Sequence, residues 1–383
     1  MQTIYLDNNS TTRVADEAIA AMQPFWKEQY GNPSSLHLLG QSARHAVEIA
    51  REEVAALVGA RPREVIFTSG GTEANNLAIL GMLATRPTKR HLVTSAVEHV
   101  SVHSLAQRLA GQGYRVTFLQ VDSKGSLDVD ALQRSLDGET ALLSVMHANN
   151  ETGVIFPIRE IADIAVSCGV PLHVDAVQTA GKMQVDMQSL GASLLSISSH
   201  KMHGPNGAGA LVVGPGMRLR SQTIGGHQER GLRPGTENVP AIVGFGTAAR
   251  VAANRFEADS IRLATLRDRL ERGLLKSINF ATVIGNSDAR ICNTTNVAFE
   301  ALEAEAILIG LSEHGLCASS GAACSSGSLE PSHVLQAMGV PDRIAHGGIR
   351  FSLSRDTTES EIDRALEIIP QVVTRLASLC ANG

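Results

Sequence analysis

The sequence predicts an α/β layer sandwich with a mostly parallel sheet, joined to a smaller α+β unit. Short apolar runs recur at 64–68, 91–95, 115–120, 141–146, 171–174, 194–198 and 208–213, and each reads as a buried strand. Amphipathic helical patterns, such as 42–58 and 158–167, lie between them. Buried strands alternating with helices build a sheet covered on both faces. The pattern then changes. A long helix rich in Arg and Glu, 250–274, reads as a bridge between domains. Past it come a strand at 293–299, a helix at 304–314, a small-residue loop at 318–328, a strand at 348–352 and a last helix from 358. The expected division is a large domain of residues 13–255 and a small domain of residues 1–12 and 256–383.

Composition narrows the function classes. The chain has 383 residues, 43% of them hydrophobic and 19% charged, enough apolar material for a full core. Its net charge of −5 argues against nucleic acid or an anionic membrane surface as a general partner. No window reaches the roughly 20 apolar residues of a membrane helix. The segment Met1–Asp7 lacks the basic and apolar regions of a secretory signal, so the expected location is the cytoplasm. Five Cys in so long a chain are not a disulfide framework. No metal-ligand spacing stands out.

The residues that follow each strand carry the chemistry. In open α/β sheets, ligands bind outside the carboxyl ends of the strands. After the strand at 64–68, Thr68-Ser-Gly-Gly-Thr-Glu73 leads into a helix expected over 74–82. Gly71 and Thr72 at that helix start form an anion seat, or else an ordinary N-cap. The segment is neither a Walker A loop nor a dinucleotide fingerprint. The next strands end on His99, on Asn149-Asn-Glu151, on Asp175 with Gln178 three residues later, and on Ser198-Ser-His-Lys201. A lone lysine or histidine at such a place is more often structural. The set, on one sheet edge, fits pyridoxal 5'-phosphate. Its aldehyde needs a lysine, its ring nitrogen a carboxylate, and its phosphate hydroxyls and helix N–H groups. Lys201 is then the anchoring lysine and Asp175 the partner of the ring nitrogen. Thr72, Ser198 and His200 hold phosphate, Gln178 and Asn150 lie against the ring oxygen, and His99 stacks on the ring.

Nine segments in register carry a family resemblance. They include Tyr5-Leu-Asp-Asn-Asn-Ser-Thr-Thr12, His173-Val-Asp-Ala-Val-Gln178, Ser199-His-Lys201, Gly225-Gly-His-Gln-Glu-Arg-Gly231 and Gly321-Ala-Ala-Cys-Ser-Ser-Gly327. From Tyr5 to about Arg375 the chain resembles the NifS/IscS-type cysteine desulfurases. The resemblance implies a fold-type-I, pyridoxal-phosphate homodimer that removes sulfur from L-cysteine, leaves L-alanine, and passes the sulfur to an acceptor or an iron–sulfur scaffold protein. It implies Cys324 as the persulfide cysteine, Thr236 as a reach to the neighbouring subunit's phosphate, and Arg350 as the grip on the substrate carboxylate, with Asn150 beside it. His99 is expected to carry a proton near the ring. The rival activities are a selenocysteine lyase or an aminotransferase.

Cys324 also stands out without the family. Residues 318–328 carry no bulky or charged side chain, which suits a tether that moves. With no Lys, Arg or His in that stretch, nothing local lowers the thiol's pKa. Cys168, Cys292 and Cys380 read as buried or incidental. Cys317, seven residues before Cys324, stands where relatives usually have Ala. It either packs as that alanine does or attacks the Cys324 persulfide. The chain ends at Gly383, short of the tail common in relatives, which leaves partner choice open.

Overall fold

The strands are β1 (Ile4–Tyr5), β2 (Val65–Thr68), β3 (His91–Ser95), β4 (Arg115–Leu119), β5 (Thr140–Met146), β6 (Leu172–Asp175), β7 (Leu194–Ser198), β8 (Gly209–Val213), β9 (Ala281–Ile284), β10 (Thr294–Phe299), β11 (Leu316–Cys317) and β12 (Gly348–Ser352). The computed structural model that contains them describes residues 3–320 and 331–381. Seven strands form the main sheet in the order β2-β8-β7-β6-β5-β3-β4. β8 runs against both of its neighbours, and the pairs from β7 to β4 are parallel. The carboxyl ends of β2, β3, β5, β6 and β7 therefore share one edge of the sheet.

Alternation along the strands explains the layers. Phe67, Leu143, Leu195 and Ile197 join a core with Val54 and Phe245, from helices Leu38–Leu57 and Val239–Ala253. Ile66, Leu142, Leu194 and Leu211 turn the other way, to Ile79 and Leu105 of helices Gly71–Thr85 and Val100–Gly111. Every residue of β5 is buried, as a strand covered on both faces must be.

A second sheet orders β12-β10-β9, all antiparallel. Its core joins Phe299, Ile349 and Phe351 to Leu263 and Leu270 of helix Phe256–Ser277, and to Ile369 of helix Glu359–Ala381. Ile4 and Leu6 enter this same core, because β1 pairs with β11. The expected single helix over 250–274 is instead two. The apolar helix Val239–Ala253 stops at Asn254, Arg255 leaves helical geometry, and Glu257 and Asp259 start a new first turn. The first belongs to the main core and the second to the other, so the break falls where the chain changes cores.

Candidate active site

The shared edge gathers most of the expected site residues. The turn Ser199–Lys201 continues β7 and carries Lys201 to the segment that runs from Asp7 to Thr12. There Lys201 Nζ donates to the carbonyls of Asn9, at 2.5 Å, and Ser10, at 2.7 Å. Gln178 Nε2 donates to the same Asn9 carbonyl at 3.1 Å. Asn9 Nδ2 donates to the Asn150 carbonyl at 3.1 Å, and Arg350 Nη1 donates to it at 3.0 Å. Asn9 thus links Lys201, Gln178, Asn150 and Arg350. Arg350, on β12, is buried, and its Nη2 pairs with Asp7 Oδ1 at 2.7 Å.

A second chain of bonds joins Asp175 to His99. Asn75, one turn into helix Gly71–Thr85, donates to Asp175 Oδ2 at 2.7 Å and to Ser101 Oγ at 2.9 Å. Ser101 Oγ meets His99 Nδ1 at 2.8 Å. His99 caps its helix by accepting from Ser101 N, so the neutral ring carries its proton on Nε2. Burial holds the His99 imidazole below its usual pKa; the Asp175 charge opposes this, while Lys201 and His333 reinforce it.

Two carboxyls here are set apart by their surroundings. Asp175 Oδ1 accepts from Val177 N at 3.0 Å. Glu98 lies fully buried nearby, accepting from Ser95 Oγ at 2.5 Å and Met146 N at 3.0 Å. Burial pushes the Glu98 carboxyl up to about 8 against those two bonds, and Asp175 adds to the rise. Glu98 is therefore largely neutral at neutral pH. Lys182 donates to Gln178 Oε1 at 3.1 Å. Burial, then the Lys201 charge, pulls the Lys182 ammonium down to about 7.

The helix that carries the anion seat begins earlier than the sequence reading put it. The helix starts at Gly71, not at residue 74, so its free N–H groups lie beside Ser198. A Cβ on Gly71 would come within 2.8 Å of Val177 and 3.7 Å of Ser198, so the absence of a side chain keeps that space open. Ser198 Oγ is fully buried and has no hydrogen-bond partner among the described residues. An orphaned hydroxyl beside a helix N-terminus, a buried carboxylate and a lysine fit a phosphate-bearing cofactor with a cationic ring.

Other expected residues lie further out. Thr72 is exposed. His200 turns Nδ1 to Thr11 Oγ1 at 3.2 Å, and burial together with Lys201 and Lys182 pulls it down to about 4. Thr236 is exposed, in the loop before helix Val239–Ala253. Cys324 and most of the 318–328 loop lie outside the described residues. Ser319, at the loop's start, exchanges backbone hydrogen bonds with Arg350 at 3.3 and 2.6 Å. Cys317 is half-buried, in register with Tyr5, and Cys168 is exposed.

Sequence reasoning missed Asp7, Asn9, Asn75, Glu98 and Lys182. Asn75 had a signal, since it lies one helical turn after Gly71 and so faces the same way. Asp7 and Asn9 lie in the segment Tyr5–Thr12 that carries the resemblance, but nothing in it gave either a role, because only the fold brings the N-terminal segment across the sheet edge.

Residues 4–365 match the model of the family described as aminotransferase class-V. Cysteine desulfurase 2 of Trichormus variabilis is 52% identical over 379 residues, covering 99% of this chain and 95% of the relative. A solved structure titled NIFS-like protein superposes with a TM-score of 0.92 at 37% identity, over 98% of this chain and all of the other. A structure titled SspA in complex with cysteine gives 0.81 at 34% identity, over 93% of this chain and all of the other. The chain belongs to the class-V aminotransferase family, among its cysteine desulfurases.

Proposed function

We propose that this cysteine desulfurase binds pyridoxal 5'-phosphate at the sheet edge and moves the sulfur of L-cysteine onto Cys324. The observation that carries the reading is the grouping at one sheet edge of Lys201 and Asp175, both close enough to act on His99, with the orphaned Ser198 hydroxyl beside the start of helix Gly71–Thr85. Lys201 anchors the cofactor. Asp175, oriented by Asn75, faces the ring nitrogen, and Gln178 faces the ring oxygen. Gly71, Thr72, Ser198 and His200 hold the phosphate, and Thr236 of a second copy completes that site. When bound, the cofactor supplies the electron sink that stabilises a carbanion at the substrate's α-carbon.

The chain's own groups do the rest. Arg350 and Asn150 orient the substrate carboxylate. Lys201 Nζ takes the α-proton. Nε2–H of His99 is positioned to hand on a proton near the ring. The Cys324 thiolate attacks the substrate sulfur, so an S–S bond forms as the Cβ–S bond breaks, and protonation at Cβ leads to L-alanine. A protein acceptor, such as an iron–sulfur scaffold, then takes the sulfur.

Residues 13–255 act as the large domain, with 1–12 and 256–383 as the small one; the core that joins Ile4 and Leu6 to residues 263–373 supports this division. The working unit is a homodimer. Its support is the run of large apolar side chains left exposed on one segment, Trp26, Tyr30, Leu36 and Leu38, which a second copy would cover. The described residues contain no helix long and apolar enough to cross a membrane, which is in keeping with a cytoplasmic site of action.

Borohydride reduction followed by peptide mapping tests the cofactor site. A pyridoxyl label on Lys201 supports it, and a label on another lysine removes Lys201 from its role.

A further inference from the structure

Arg350 is buried with its guanidinium already engaged. Of its five N–H donors, three are in use. One on Nη1 goes to the Asn150 carbonyl at 3.0 Å, and the two on Nη2 go to Asp7 Oδ1 and Ser10 Oγ, each at 2.7 Å. Ser10 Oγ in turn donates to Asp7 Oδ1 at 2.8 Å, so the two hold Nη2 together. Nε is buried and has no partner among the described residues.

A carboxylate gripped by two parallel bonds uses either Nε with Nη2 or Nη1 with Nη2. Both arrangements need Nη2. The free Nε marks where one substrate oxygen can bind, and the other oxygen must take a place that Asp7 and Ser10 hold. Of these two, Asp7 is the like-charged occupant.

We propose that Asp7 is a placeholder carboxylate, which neutralises Arg350 while the site is empty and is displaced from Nη2 by the carboxylate of the entering amino acid. The inference rests on the reading of Arg350 as the substrate's carboxylate grip. It makes Asp7 a specificity-determining residue, because a ligand without a carboxylate cannot replace the lost ion pair. A buried guanidinium with no counter-charge would be costly, which gives the placeholder its purpose. The turn that supplies Asp7 also supplies the Asn9 and Ser10 carbonyls that hold Lys201 Nζ, so displacement at Arg350 acts on the segment that positions Lys201.

The test is calorimetric titration of the pyridoxal-phosphate-loaded enzyme with L-alanine and with L-alaninamide, which lacks the carboxylate. Asp7→Asn keeps the shape and removes the competing charge. It should bind L-alanine about five- to tenfold more tightly, as when the competent arrangement is otherwise a minority of roughly 10–20%. Its affinity for L-alaninamide should not change. Asp7→Ser should act in the same direction, and it decides the matter if Asp7→Asn does not fold. Unchanged or weaker L-alanine binding in a folded variant overturns the proposal and leaves Asp7 a fixed orienting group. Arg350→Lys serves as the separate control. If it still prefers L-alanine to L-alaninamide as strongly as the parent does, the reading of Arg350 itself fails. If it loses that preference while the Asp7 variants do not tighten, only the placeholder fails.

Discussion

Glu229 grips Arg51 with both carboxylate oxygens, Oε1 on Nη2 at 2.7 Å and Oε2 on Nη1 at 2.8 Å. Oε2 also accepts from Phe67 N at 2.8 Å, on β2 just before the anion seat. Glu229 and Arg230 hold left-handed backbone angles, φ 46° and 57°, that side-chain-bearing residues seldom adopt. The ion pair offsets that strain and pins the turn Gln228–Gly231, from which the chain runs on to Thr236.

Glu229→Ala would leave the buried Arg51 guanidinium with only the half-exposed Glu48 and the Val65 carbonyl as partners, and the Phe67 N–H without its acceptor. The expected loss is about 1.5–3 kcal/mol of stability, read by denaturant unfolding, because charge-assisted bonds are lost while Glu48 still compensates the charge. A loss below about 1 kcal/mol would show that water or a neighbour replaces the carboxylate at little cost.

Asn75→Ala should weaken cofactor retention without abolishing it, because Asp175 keeps its bond from Val177 N and loses only the one from Asn75. Equilibrium dialysis of the loaded enzyme, followed by its visible absorbance, should place this variant between the parent and Asp175→Ala. Retention equal to the parent would mean that Asn75 does not orient Asp175.

Lys182 gives a pH signature. Its folded pKa, about 7, lies below the unfolded value of 10.5, so between these values the unfolded chain binds more protons. The penalty for burying the ammonium is full below about pH 7 and fades as pH rises toward 10.5. Lys182→Met should therefore gain most relative to the parent near pH 7, and that gain should shrink by pH 9.5 in paired denaturant melts. A difference independent of pH would show that Lys182 is not desolvated.

The strands were legible because their apolar runs are short and bounded: β3, β7 and β12 fall on the expected residues. The sheet edge was legible for the same reason, since Lys201, Asp175 and His99 each follow directly on a strand or its first turn. Glu98 was not, because a carboxyl beside a histidine gives no sign that it will be buried and neutral. The break at Asn254 was hidden because Arg, Glu and Leu continue a helical pattern across it while the two halves serve different cores. Asn9 and Asp7 stayed hidden for a topological reason: β1 pairs with β11, more than 300 positions away, and only that pairing draws the N-terminal segment past Lys201 and Arg350.

The central claim is that sulfur leaves L-cysteine and arrives on Cys324. It is tested most directly by giving the loaded enzyme one equivalent of L-cysteine, alkylating, and mapping the cysteine peptides by mass spectrometry while L-alanine is counted. The account predicts one additional sulfur atom on the Cys324 peptide and one L-alanine per site. A persulfide on Cys168, Cys292, Cys317 or Cys380 instead, or L-alanine formed equally well by Cys324→Ala, would contradict it.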